Sequence, residues 1–215
     1  MAWKRKEKVV IMEPLAMVSD VMSQILREEG DIIIEGSLSS FLSLKSLLEL
    51  RKVDVVFSEV YDVSISIVEG IDFLRKLKAN FPAIDIIIHT EIEMPALLIQ
   101  TNADAIYMKQ LGVEGCRASV SQILKAESMV NVLFYEDRKN NYDYEMLSEF
   151  EWAMLIMFSQ QLSISDIAKK MKTNYRRVSR TKHIIMAKLK VNNNVEFSKM
   201  MALAGNKFGE YPPVF

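Results

Sequence analysis

The stretch NYRRVSRTKHIIMAKLK (174–190) holds six Lys/Arg and no Asp or Glu. An exposed helix ordinarily mixes charge signs and gains from opposite charges four residues apart. One-sided charge of this density asks for an anionic partner. At 100° per residue, with Val178 as zero, Thr181, Ile185 and Leu189 fall within about 60° of it and form an inward stripe. Arg176, Ser179, Arg180, His183 and Lys190 gather on the opposite side, and Arg177, Lys182 and Lys188 lie on the flanks. Donors pointing outward between flanking cations suit the major groove of double-stranded DNA. Arg176 and Arg180, with Ser179 and His183, are the candidates for base edges; Asn174, Arg177, Lys182 and Lys188 are the candidates for phosphates. The plain alternative is a solvated charged face, and the missing acids speak against it.

Such a helix needs supports. LSEFEWAMLIMF (147–158) places Leu147, Phe150, Met154, Leu155 and Phe158 on one helical face. SISDIAKKMK (163–172) sets Ile164, Ile167, Ala168 and Met171 at i, i+3, i+4 and i+7, with Ser163 and Asp166 spaced as in a capping box. Asn174 is a good N-cap for the basic helix. Two helices joined by a tight turn, the second long and basic, describe a helix-turn-helix. A fourth helix is expected over NNNVEFSKMMALAG (192–205).

The first 128 residues have another rhythm. Apolar runs at 8–12, 31–36, 53–59, 84–90 and 113–118 alternate with amphipathic stretches at 16–30, 41–52, 68–82, 95–112 and 119–129. Continuous apolar strands belong to a parallel sheet covered on both faces, so five such units predict a doubly wound (βα)5 fold. The fold class is α/β followed by all-α. Residues 1–129 form the α/β domain, 130–146 a linker, 147–207 the helix-turn-helix domain and 208–215 a tail. Charge divides along the same line: 147–215 hold 11 Lys/Arg and 5 Asp/Glu, a balance of +6, leaving −7 for 1–146. Two domains of opposite sign face different partners.

The 215-residue chain is 50% hydrophobic and 26% charged, an ordinary globular mixture. Its lone Cys116 excludes an internal disulfide framework and a Cys-rich zinc module. No apolar run approaches a membrane span. The start MAWKRKEKVVIMEPLAM has no secretion-type cleavage pattern, so a cytoplasmic location is expected. No Gly-rich phosphate loop, metal-ligand spacing or Ser/His/Asp set points to an enzyme. No catalytic residue, metal ligand or cofactor is expected.

From Leu147 to Val191 the chain resembles the LuxR/NarL-type helix-turn-helix of bacterial transcription regulators, whose pattern runs roughly LSxxExxVLxLxxxGxSxxEIAxxLxxSxxTVxxHxxxIxxKLxV. Leu147, Ser148, Glu151, Leu155, Ser163, Asp166, Ile167, Ala168, Met171, Val178, Ile185, Lys188, Leu189 and Val191 keep it or substitute conservatively. Gln161 stands where the family usually has Gly, and Arg177 and Thr181 where it has Thr and His. The resemblance implies a dimer contact in the helix after the basic one, with Val195, Met201 and Leu203 as candidates; core capping is the equal alternative. It also implies that the α/β domain is a phosphoreceiver, and set against that pattern this one is degenerate. Glu13 is followed by Pro14 where two adjacent acids are usual, and Glu59 stands where a phospho-accepting Asp ends the third strand. Thr90 is in place, and Ser119 falls at the position of the usual Lys, with Arg117 as a nearby substitute. Magnesium-dependent phosphorylation is therefore not expected. Glu59 imitates an activated state by its permanent charge, or is a drifted residue in a solvent-facing loop.

A degenerate receiver ahead of this helix-turn-helix is similar to the RcsA/BglJ/RcsB group of regulators. That likeness implies a phosphorylation-independent DNA-binding regulator, acting as a homodimer or as a heterodimer with a related response regulator. The competing reading is an interaction protein that sequesters a partner regulator without binding DNA alone. A ligand-sensing domain fits poorly, since the only tryptophans are Trp3 and Trp152.

Overall fold

The structure, a computed structural model, describes residues 7–28, 32–109, 112–125 and 144–206. Strands β1 (Glu7–Met12), β2 (Ile32–Leu38), β3 (Val55–Ser58), β4 (Asp85–Thr90) and β5 (Ala105–Met108) form one parallel sheet in the order β2-β1-β3-β4-β5. Helices α1 (Ala16–Glu28), α2 (Phe41–Leu50), α3 (Ile67–Asn80) and α4 (Pro95–Leu98) cross between them, and α5 (Gly112–Lys125) follows β5. Successive strand residues face opposite sides. Val10, Val56, Ile86 and Ile106 join a core with α2 and α3, while Val9, Val55, Ile87 and Ala105 join another with α1 and α5. Burial on both faces is why these strands read as unbroken apolar runs.

The fifth unit departs from the sequence expectation. Pro95–Leu98 is a single helical turn, extended by a 3-10 turn at Ile99–Thr101 that ends on Asn102 at φ 56°. AIYM (105–108), expected inside a helix over 95–112, is β5, and VEGCRA, expected as the last strand, lies in α5. Four apolar residues fit either period. Pairing with β4, Ile88 beside Ile106 and His89 beside Tyr107, decides for the strand.

Among the described residues four further helices follow: α6 (Glu149–Ser159), α7 (Ile164–Lys170), α8 (Tyr175–Lys188) and α9 (Asn194–Gly205). Ser148 accepts from the Glu151 amide while the Glu151 carboxylate accepts from the Ser148 amide, a reciprocal capping box. Ser163, Asn174 and Asn193 cap the next three helices. Gln161, Lys172 and Lys190 close α6, α7 and α8 at φ 58°, 49° and 56°. The amides of Leu162, Thr173 and Val191 reach back to the Met157, Ala168 and Met186 carbonyls, completing Schellman turns. Glycine suits such positions best, and none of the three is glycine. Val178, Thr181, Ile185 and Leu189 are buried, as their spacing requires.

Residues 130–143 of the expected linker, 126–129 of the expected last receiver helix and the tail 208–215 lie outside the described residues. No helix among the described residues is long and apolar enough to cross a membrane.

Candidate nucleic-acid interface and a buried ionic site

The sheet order sets the carboxyl ends of β1, β3, β4 and β5 side by side, the place where such sheets build sites. Glu13 follows β1, Glu59 follows β3, Thr90 ends β4 and Lys109 follows β5. Glu13 and Glu59 are 2% and 1% exposed. Lys109 Nζ lies 2.7 Å from Glu13 Oε2 and 2.5 Å from Glu59 Oε2. The other two oxygens are also engaged: Glu13 Oε1 accepts from the Leu15 amide at 3.0 Å, and Glu59 Oε1 from the Val60 amide at 2.8 Å. The Thr90 side chain also hydrogen-bonds Glu59. Burial pushes the Glu59 carboxyl up to about 7, against the pull of Lys109 and with added repulsion from Glu13. Burial opposes the Lys109 ammonium, but the two carboxylates outweigh it and hold its pKa above the ordinary lysine value. The result is an internally closed ion cluster of two carboxylates sharing one cation. Among the described residues, no group of three His, Cys, Asp or Glu could hold a metal.

Two sequence expectations are corrected here. Ser119 is not the residue at the cation position: β5 ends at Met108, so Lys109 occupies it, and Ser119 lies further along in α5. Its suggested substitute Arg117 pairs instead with Glu28 of α1 at 2.7 Å. Nor is Glu59 in a solvent-facing loop, since it is buried and ion-paired. The signal for Lys109 was a lysine directly behind a short apolar run, AIYMK. His89 is buried beside the cluster, and its pKa falls to about 3 through burial and the nearby Lys109 charge.

On α8, Asn174, Arg176, Arg177, Arg180 and His183 are exposed and Ser179 is half-buried. No ion pair among the described residues involves Arg176, Arg177 or Arg180. Asn174 spends its side-chain oxygen on the Arg177 amide at 2.9 Å, and the Arg177 guanidinium lies over the Phe150 ring, 4.5 Å from its centroid. Lys182 is half-buried, donates to Asn194 at 2.9 Å and lies 4.9 Å from the Phe197 ring centroid. Burial lowers its pKa. Lys188, expected to meet phosphate, bonds Glu151 and the Met146 carbonyl, each at 3.0 Å. Its place on a helical wheel could not reveal that α6 supplies a carboxylate there. Sequence reasoning also passed over Tyr175, 56% exposed beside Arg176. The exposed face therefore begins with an aromatic ring and continues as unpaired guanidinium groups.

No family-level sequence model matches the chain. The transcriptional regulatory protein RcsB of Escherichia coli K12 is 25% identical over 134 residues, covering 59% of this chain and 62% of RcsB. Over that stretch this chain is similar to RcsB, and the match spans less than two thirds of RcsB's length. The Salmonella typhimurium RcsB matches with the same identity and coverage. Among solved structures, RcsB from Salmonella enterica serovar Typhimurium bound to promoter rprA in the presence of phosphomimetic BeF3− gives a TM-score of 0.61 at 21% identity, covering 92% of this chain and 98% of that one. An RcsB–DNA complex gives 0.60 at 21% identity, covering 93% and 100%. The isolated REC domain of RcsB gives 0.51 at 17% identity, covering 62% of this chain and 99% of that one. At these identities the likeness to the RcsB structures is one of fold, a receiver-type α/β unit followed by a helical unit.

Proposed function

We propose that this chain is a sequence-specific DNA-binding transcription regulator that acts without phosphorylation, as a homodimer or as a heterodimer with a related response regulator. The observation that carries the reading is the outer face of α8. Arg176, Arg177 and Arg180 stand exposed there with no acidic partner among the described residues, whereas Arg75, Lys78, Lys109 and Lys188 are each paired with a carboxylate. Similarity to RcsB, solved on promoter DNA and as dimers on DNA, supports it. The base-reading candidates are Arg176, Arg180, Ser179 and His183. Asn174, Arg177 and Lys182 flank them toward phosphate, while Lys188 serves the fold. The working division is a receiver-like domain over 1–129, a linker over 130–146, a DNA-binding domain over 147–207 and a tail over 208–215, in the cytoplasm with the chromosome.

Phosphate independence is supported by the ionic site. Lys109 already engages both buried carboxyl groups at the sheet edge, Pro14 stands where a second acid is usual, and Glu59 turns its carboxyl toward Thr90. For dimer formation α9 offers Val195 and Leu203, 65% and 45% exposed, while Met201 belongs to the core at 1%. Fluorescence anisotropy on promoter fragments, with the chain alone and with RcsB across a salt series, tests the reading. Binding that weakens with salt and ignores BeF3− is the expected result. Loss of all salt-sensitive association, alone and with RcsB, would overturn it; a complex with RcsB that binds no DNA would favour sequestration instead.

A further inference from the structure

The helical half is seated on the α3 side of the sheet, through α6 and α9. Arg75 of α3, with a side chain 14% exposed, donates both Nη groups to the Glu149 carboxylate at the start of α6, and Nη2 also donates to Asp72 at 2.7 Å. Its guanidinium lies over the Trp152 ring, 5.3 Å from the centroid. A second contact centres on a fully buried side chain. Gln100, in the 3-10 turn, donates Nε2 to the Glu145 carbonyl at 3.0 Å and accepts from the Leu147 amide on Oε1 at 2.8 Å. A side-chain amide that engages a carbonyl and an amide two residues apart fixes both the position and the direction of the segment entering α6. Between these contacts, Leu147 and Trp152 share one apolar core with residues of α3. α3 itself has no slack: a Cβ at Gly70 would lie 1.9 Å from the Val60 carbonyl oxygen, and the Val60 amide is held by Glu59.

With the helical half docked in this way, Arg176, Arg180 and His183 remain exposed. We propose that Gln100 and Arg75 are the positioning residues of an interdomain lock that keeps the helical half seated on α3 while the outer face of α8 stays open. Docking and DNA access then coexist, and no release step is needed before binding. The consequence for DNA rests on the function proposed above; the lock itself does not.

Spin labels at Leu42→Cys and Lys169→Cys, both exposed, in a Cys116→Ala background, with the labelled chain diluted into unlabelled chain so that only distances within one chain are read, report the distance between the halves by pulsed electron paramagnetic resonance. The parent is expected to give one narrow distance. Gln100→Ala strands a buried amide and carbonyl and is expected to lower the docked population about tenfold. Arg75→Glu sets like charges against each other and should broaden the distribution, and adding Glu149→Arg should narrow it again. Circular dichroism checks folding, and if Gln100→Ala does not fold, the Arg75/Glu149 set decides alone. A broad distribution in the parent, or variants as narrow as the parent, would overturn the lock. Promoter titration of the same proteins separates the two readings. Distances that respond with no DNA bound anywhere sink the proposed function and leave the lock; DNA bound with unresponsive distances does the reverse.

Discussion

Replacing Lys109 by Met removes the one ammonium shared by Glu13 and Glu59 while keeping a long side chain in place. Deleting one partner of a buried ion pair costs about 3–5 kcal/mol, and here two carboxylates lose their cation. Glu59 sets where on the pH scale the loss appears. Even beside Lys109, burial holds its carboxyl up at about 7 against an ordinary 4.5. Without Lys109 it rises further. A carboxyl whose folded pKa is raised contributes stability that is complete below its unfolded pKa and is lost as pH rises through the folded value. Lys109→Met should therefore lie close to the parent near about pH 5 and fall about 3–5 kcal/mol below it near about pH 8. Urea unfolding across that range, followed by far-ultraviolet circular dichroism, reads the difference. Glu59→Gln is the control: it leaves one carboxylate with one ammonium, so stability at the upper pH should stay within about 1 kcal/mol of the parent with a flatter profile. A pH-independent loss in Lys109→Met, or a Glu59→Gln protein as unstable as Lys109→Met in alkali, would refute the reasoning.

Arg180→Ala should weaken specific DNA binding by about 1–3 kcal/mol and relax one base preference; anisotropy against operator and random DNA checks this, and an unchanged ratio would count against it. Lys188→Ala should cost about 1–2 kcal/mol of stability through its bonds to Glu151 and Met146. Its salt slope for DNA should stay unchanged, whereas a smaller slope at unchanged stability would return Lys188 to the phosphate contacts. Gln161→Gly relieves a left-handed conformation costing about 1–2 kcal/mol, offset by about 0.5–1 kcal/mol of glycine entropy. Thermal unfolding should show a net gain. Acetyl phosphate with magnesium should add no mass to the protein and leave its DNA affinity unaltered, read by intact-mass spectrometry and anisotropy.

What could be read from sequence was local. The 3.6-residue period, the Asn174 cap and the unmixed charge of α8 are properties of one helix, and Val178, Thr181, Ile185 and Leu189 lie inward as their spacing demands. β1 to β4 were legible as unbroken apolar runs between turn residues. β5 was not, because four residues carry too little periodicity and only pairing with β4 distinguishes a strand from a helical turn. That one slip moved the cation of the ionic site from Lys109 to Ser119. The flank cations of α8 failed for a related reason. On the wheel Lys182 lies about 40° from Val178, already toward the inward stripe, where Phe197 and Asn194 meet it. Lys188 lies about 80° away, where the wheel cannot show the Glu151 carboxylate of α6.

The same cluster holds the carboxyl ends of three strands together with side chains alone. Magnesium demands a near-octahedral shell and is held by carboxylates together with substrate phosphate. Pro14 supplies no carboxylate, and every oxygen of Glu13 and Glu59 already has a partner. A phosphoryl group added there would bring about two further negative charges into a pocket whose single cation is already shared. Lys109 costs no ion from solution and is present at every moment the chain is folded. Its charge ties the ends of β1, β3 and β5 together. With α3 held against Val60 at Gly70, that edge gives the helical half a constant seat.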